Sequence, residues 1–147
     1  MTKVSARFER ISVDIAGPFA KTQRNNTFVL VGICCFSKFG FAFATPSIES
    51  PTLARLMLDR YFMFFGFPVE IHSDAGLNFI SEMIKQFYKL LGIKQSNNLA
   101  WVPQQNGASE RFIQSLKGMV CHYAEAKPRS WDLMLSPCVL AYGHVHK

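Results

Sequence analysis

No stretch of this sequence is apolar for long enough to cross a bilayer: Phe28 to Thr45 is broken by Lys38, and Tyr61 to Val69 is too short. The N-terminus also lacks the uninterrupted apolar core of a signal peptide, so a soluble, intracellular protein with no membrane partner is expected. The four cysteines, Cys34, Cys35, Cys121 and Cys138, form no CxxC spacing. The adjacent pair cannot close a relaxed disulfide, and reduced packing cysteines are the expectation. Zinc is disfavoured, because His144 and His146 lie near the end with no ligand pair at finger-like spacing before them. There is no P-loop, no dinucleotide glycine motif and no Ser-His-Asp set to compete for the chemistry. Acids are also scarce: 10 Asp+Glu stand against 16 Lys+Arg, a formal charge of +6 that favours a polyanionic partner but is shared by many ordinary soluble proteins.

What the chain does have is core. At 147 residues, 49% hydrophobic and 14% aromatic, it fits one compact domain over 1–147 and has no room for a second. Phe8 to Ile15 alternates like a half-buried strand and ends in the turn chemistry of Ala16-Gly17-Pro18. Thr27 to Cys35 is apolar enough for a strand buried on both faces, and Phe41 to Ala44 returns after the turn Ser37 to Gly40. Ser50-Pro51 opens a helix carrying Leu53, Leu56, Met57, Tyr61 and Phe64, closed by Gly66 and Pro68. A short strand, Val69 to His72, precedes the turn cluster Ser73 to Gly76; a helix from Ile80 to Leu91 and a strand near Ile93 to Ser96 follow. Asn97 to Gly107 has the composition of an irregular loop, after which a long helix is expected from about Ala108 to Ala126 and a last one from Trp131 to Tyr142. The order βββαβαβαα indicates an α/β domain, a mixed sheet covered by helices.

Three acids stand out by position. Asp14 and Asp74 fall near the ends of two expected strands, and Glu110 follows after thirty-five further residues. On the long helix Phe112, Leu116, Met119, Val120 and Tyr123 form the expected core stripe, and Glu110 falls nearly opposite it, beside Gln114, Lys117 and Cys121. Singly, such acids are usually solvated or act as caps. Together they suit a hard divalent cation, Mg²⁺ or Mn²⁺, which takes oxygen ligands and keeps several waters. Two such ions about 4 Å apart activate a hydroxyl and stabilise the leaving oxygen in displacement at phosphorus. In that scheme Asp14 bridges both ions, with Asp74 on one and Glu110 on the other.

The wording around each acid is specific. Val13-Asp14-Ile15-Ala16-Gly17-Pro18-Phe19, Ile71-His72-Ser73-Asp74-Ala75-Gly76-Leu77-Asn78-Phe79 and Pro103-Gln104-Gln105-Asn106-Gly107-Ala108-Ser109-Glu110-Arg111 closely resemble the catalytic core of retroviral and LTR-retrotransposon integrases, especially gypsy-type and foamy-virus-like enzymes. The match holds in order and spacing over nearly the whole chain. The resemblance implies an RNase H-like fold with a five-stranded mixed sheet flanked by helices. It also implies a transferase, using two Mg²⁺ or Mn²⁺ ions, that trims the 3′ ends of element DNA and joins them to target DNA in the nucleus. By the same resemblance Asp14, Asp74 and Glu110 are the catalytic metal ligands. Gln104 and Asn106 belong to a loop near the element DNA end, Lys117 approaches that DNA from the long helix, and Leu77 and Asn78 fall where target DNA is met. Such contacts to phosphate position DNA without reading its sequence.

Three positions depart from the family pattern. Val102 replaces a histidine before the loop's Pro-Gln, Cys34 an aspartate ending the second strand, and Gly143 an asparagine near Tyr142. They motivate an alternative, a host-adopted or degenerate core acting as a non-catalytic dimeric module; an RNase H-type nuclease on RNA–DNA hybrids fits the motif spacing less well. The zinc-binding N-terminal and basic C-terminal domains of complete integrases are not in this sequence. Family cores pair through helices, which makes Leu53, Met57, Trp131 and Leu135 candidates for a homodimer face, with packing inside the monomer as the competing role.

Overall fold

Three strands form a local meander. In the computed structural model, which describes residues 9–73, 81–96 and 103–145 (backbone alone for 103–106, 108 and 141–145), β1 (Arg10–Ala16) pairs antiparallel with β2 (Phe28–Cys34), and β2 with β3 (Gly40–Thr45). The chain then crosses over through α1 (Ser50–Met57) to β4 (Glu70–Ser73), laid parallel to β1, and through α2 (Glu82–Leu90) to β5 (Lys94–Ser96), parallel to β4. The sheet order is β3-β2-β1-β4-β5. Two helices complete the chain, α3 (Pro103–Ala126) and α4 (Leu135–Val145), separated by a 3₁₀ turn at Trp131–Met134. The expected element order and mixed sheet are therefore present.

The period of two along β1 splits the core in two. Ile11 and Val13 join Leu30, Cys34, Phe41 and Ile71 beneath Leu53, Met57, Tyr61 and Phe62 of the α1 region and Ile84 and Tyr88 of α2. On the other face Ala16, Val29, Val31, Ile33 and Ala42 pack against Ile113, Leu116, Val120 and Ala124 of α3, with Trp131 and Leu135. Burial on this scale, at about 25 cal/mol per Å² of apolar area, is the main term holding the helices to the sheet. Ser81 caps α2 by accepting from Ile84 N at 3.3 Å, and its hydroxyl meets Ser50 Oγ at 2.6 Å, so the starts of α1 and α2 are tied together.

Three expectations need correction. The helix from Ser50 is not uniform: after Met57 it widens into a π turn, Leu58–Phe62, before Met63–Phe65. The consecutive aromatics Tyr61 and Phe62 of this turn are both buried in the core under the helix. Second, α3 begins at Pro103, five residues before Ala108, so Gln104 and Asn106 sit on helical backbone and not in a loop. Proline is preorganised for a first helical position, where its missing N–H has no intrahelical partner to lose. Third, Leu53, Met57, Trp131 and Leu135 are at most 4% exposed and belong to the monomer's own cores, so none is available to a second copy. All four cysteines are unbridged, and among the described residues no helix is long and apolar enough to cross a membrane.

Candidate active site

Asp14 lies on the face of β1 that looks toward α3. Its in-register neighbour on β2 is Val31, a member of the core under that helix. The same face carries Arg10 and Ser12 on β1 and Glu70 and His72 on β4, because Arg10 pairs with Glu70 and Ser12 with His72. Beneath α3 the sheet is thus apolar along β2 and β3 and polar along β1 and β4. The polar residues there are partly compensated: Arg10 Nε is buried without a hydrogen bond but lies 3.5 Å from Glu70 Oε2 as an ion pair, and His72 Nδ1 meets Ser96 Oγ at 3.2 Å. Ser12 Oγ meets Cys35 Sγ at 3.4 Å. The alternation in β1 was a signal by which Ser12 could have been assigned to this face.

Both oxygens of Asp14 are engaged. Oδ1 accepts from the backbone N–H of Ile15 at 2.8 Å, and Oδ2 accepts from Lys117 Nζ at 3.0 Å. The pair is partly shielded, with side-chain exposures of 19% for Asp14 and 25% for Lys117. Lys117 projects from the polar edge of α3, and Glu110, seven residues earlier, falls on the same edge about 10 Å away along the axis. Glu110, Gln114 and Cys121 are exposed there, as the helical wheel requires. Asp14 and the Glu110 edge of α3 are therefore on one side of the sheet.

β4 ends at Ser73, paired with Val13, one residue short of Asp14's level. Asp74, Leu77, Asn78 and Val102 lie outside the described residues, as do the side chains of Gln104 and Asn106, and Gly143 is described by its backbone alone. Among the described residues no three His, Cys, Asp or Glu side chains converge. The donors that are seen nevertheless suit a hard divalent cation: both are carboxylates, and Asp14 Oδ2 already holds a cationic group at 3.0 Å. Cys34 pairs with Ile11 and is buried in the core on the opposite face of the sheet from Asp14, so this departure from the family pattern lies away from the site.

A second polar cluster was not expected from the sequence. It clamps the loop that follows β1. Asp132 accepts from Thr22 Oγ1 at 2.7 Å, Asn26 Nδ2 at 2.9 Å and Arg24 Nε at 3.0 Å. The Arg24 bond above all, with help from Thr22 and Asn26, holds this carboxyl far below the usual carboxylate range against the opposing effect of burial. Beside it Trp131 Nε1 donates to Ala20 O at 3.0 Å and the ring packs edge-on to Phe19. The loop leaving Asp14's strand is thereby fixed to the segment joining α3 and α4.

Residues 5–103 match the family model described as integrase core domain. The chain is 24% identical over 136 residues to the retrovirus-related Pol polyprotein from transposon 412 of Drosophila melanogaster, covering 92% of this chain and 11% of that protein. It spans between 8% and 28% of the length of the first curated relatives it matches. Among solved structures, the catalytic core domain of BIV integrase superposes with a TM-score of 0.69 at 22% identity, over 90% of this chain and 82% of that one. The HTLV-2 integrase catalytic core domain in complex with magnesium superposes with a TM-score of 0.65 at 19% identity, over 89% and 82%. The fold is that of retroviral integrase catalytic cores, RNase H-like.

Proposed function

This chain belongs to the integrase core domain family, and we propose that it is the single-domain catalytic core, 1–147, of a retrotransposon-type integrase. Its reaction is divalent-metal-dependent processing of element DNA 3′ ends and their joining to target DNA in the nucleus. The observation that carries this is the position of Asp14: a carboxylate on the central strand, at the polar half of the sheet, on the same side as the Glu110 edge of α3. Asp14, Asp74 and Glu110 would hold two Mg²⁺ or Mn²⁺ ions, which when bound supply Lewis acidity at the attacking and departing oxygens.

The protein's own groups do the rest. Ile15 N–H fixes Asp14 Oδ1 and so sets the plane of the carboxylate. Lys117 places an ammonium at the same site, suited to a DNA phosphate near the reacting bond. Gln104 and Asn106 are assigned to element DNA, and Leu77 and Asn78 to target DNA. A second copy of the chain is a further partner, pairing through surfaces other than the four buried residues named above.

The test is a branched DNA substrate with Mn²⁺ and the purified chain, which asks least of any additional domain. Cleavage and rejoining are expected, falling roughly a hundredfold or more in Asp14→Asn and in Glu110→Gln, as expected when a metal ligand is lost. Equal traces for the wild type and both variants would sink the proposal. No described residue favours the non-catalytic alternative, because Cys34 lies away from the site.

A further inference from the structure

Lys117 sits on an oxygen that a metal at Asp14 would use. Oδ1 of that carboxylate is already committed to the Ile15 N–H, and Oδ2 is bound by the Lys117 ammonium. The two elements that carry the pair are packed together through the α3 core, Ile113, Leu116 and Val120. The contact is therefore built into the scaffold and does not depend on a chance meeting of two long surface side chains. At exposures of 19% and 25% it is also less screened than a surface pair. The neighbouring cation on this helix does not substitute for it, since the Arg111 guanidinium lies over Gly107, one turn earlier.

We propose that Lys117 is the resident counter-ion of Asp14, and that ammonium and divalent cation exclude one another at Oδ2. The inference rests on Asp14 being a metal ligand and goes beyond it. In the metal-free protein the lysine neutralises a carboxylate whose other hydrogen bond, among the described residues, comes from the Ile15 N–H. When a cation enters, Lys117 leaves Oδ2 and its charge becomes available close by. The lysine thus lowers metal affinity in the resting protein, opposite to the effect of a residue that merely supports the ligand geometry.

Calorimetric titration of the full chain with MnCl₂ separates the two. Lys117→Met, which keeps the length of the stem and removes the charge, is expected to bind Mn²⁺ on the order of tenfold tighter than wild type. Lys117→Arg, which keeps the charge, should stay within about threefold of wild type. Melting curves without metal check that each variant is folded. Equal or weaker Mn²⁺ binding by a folded Lys117→Met overturns the proposal, because then the ammonium does not compete. Asp14→Asn distinguishes the failure of its foundation: if that variant binds Mn²⁺ as wild type does, Asp14 is not a ligand, whatever Lys117 shows.

Discussion

The two faces of the sheet are built from alternate residues of the same strands, yet they do different work. Toward α1 and α2, Ile11 and Val13 meet Leu30, Phe41 and Tyr61 in an aromatic-rich core. Toward α3, the intervening residues Ser12 and Asp14 are polar, and apolar packing is left to β2, β3 and the last residue of β1, Ala16. One strand therefore supplies apolar packing with its odd residues and polar groups with its even ones up to Ala16. A carboxylate is tolerated next to a core because the face it occupies is only half apolar, and because an ammonium from the covering helix compensates it.

The sharpest way to break this comparison is to exchange the consequences. Ile11→Ala is expected to cost about 2–5 kcal/mol, read as a lower denaturation midpoint, since Ile11 is fully buried in the apolar face. Asp14→Asn, three residues on, should move the same midpoint by less than about 1 kcal/mol while abolishing strand transfer. If Asp14→Asn destabilises as much as Ile11→Ala, the division of labour along β1 is not real. Next in size is Gly32→Ala, where an added Cβ would lie 2.2 Å from the Phe41 ring, between Val13 and Phe41 on the apolar face. A cost of about 1–3 kcal/mol is expected, with metal binding unchanged in calorimetry.

Smaller and pH-dependent is the effect of Asp132→Asn in the clamp. Because this carboxyl is held far below its ordinary value, its contribution is fully present above the unfolded carboxylate pKa of about 3.9 and is lost only gradually as pH falls from there toward the much lower folded value. The variant should melt several degrees below wild type at pH 7, with the gap narrowing as pH falls below about 4 but still present at pH 3. The smallest change belongs to the exposed Arg55–Asp59 pair, where Arg55→Ala is expected to shift stability by about 0.5 kcal/mol or less.

Local pattern carried much of the architecture. Alternation in β1, the apolar run of β2, and the glycine and proline punctuation around α1 and α2 yield the element order that the structure shows. The helical wheel placed Glu110 and Lys117 on one polar edge of α3. What was not legible depends on pairs far apart in the chain. Lys117 and Asp14 are separated by 103 positions, and their contact follows from how α3 crosses the sheet. The Asp132 clamp joins a polar turn to a residue more than 100 positions away, and neither end announces the other. The apolar residues proposed for pairing, Trp131 among them, illustrate the same limit: a sequence shows that a side chain seeks burial but not whether its own chain provides it.

The parallel pairing of β1 with β4 sets an order of assembly. β1, β2 and β3 close as neighbouring hairpins, whereas β4 reaches β1 only after the whole α1 crossover has been laid down. Non-local parallel pairing is the slow kind, because loop-closure entropy must be spent before any contact is gained. The expected order is therefore a meander carrying Asp14 first and β4, the strand that leads to Asp74, afterwards. If Asp14 and Asp74 share a metal as proposed, that pair is complete only once the slow, non-local pairing of β4 with β1 has formed.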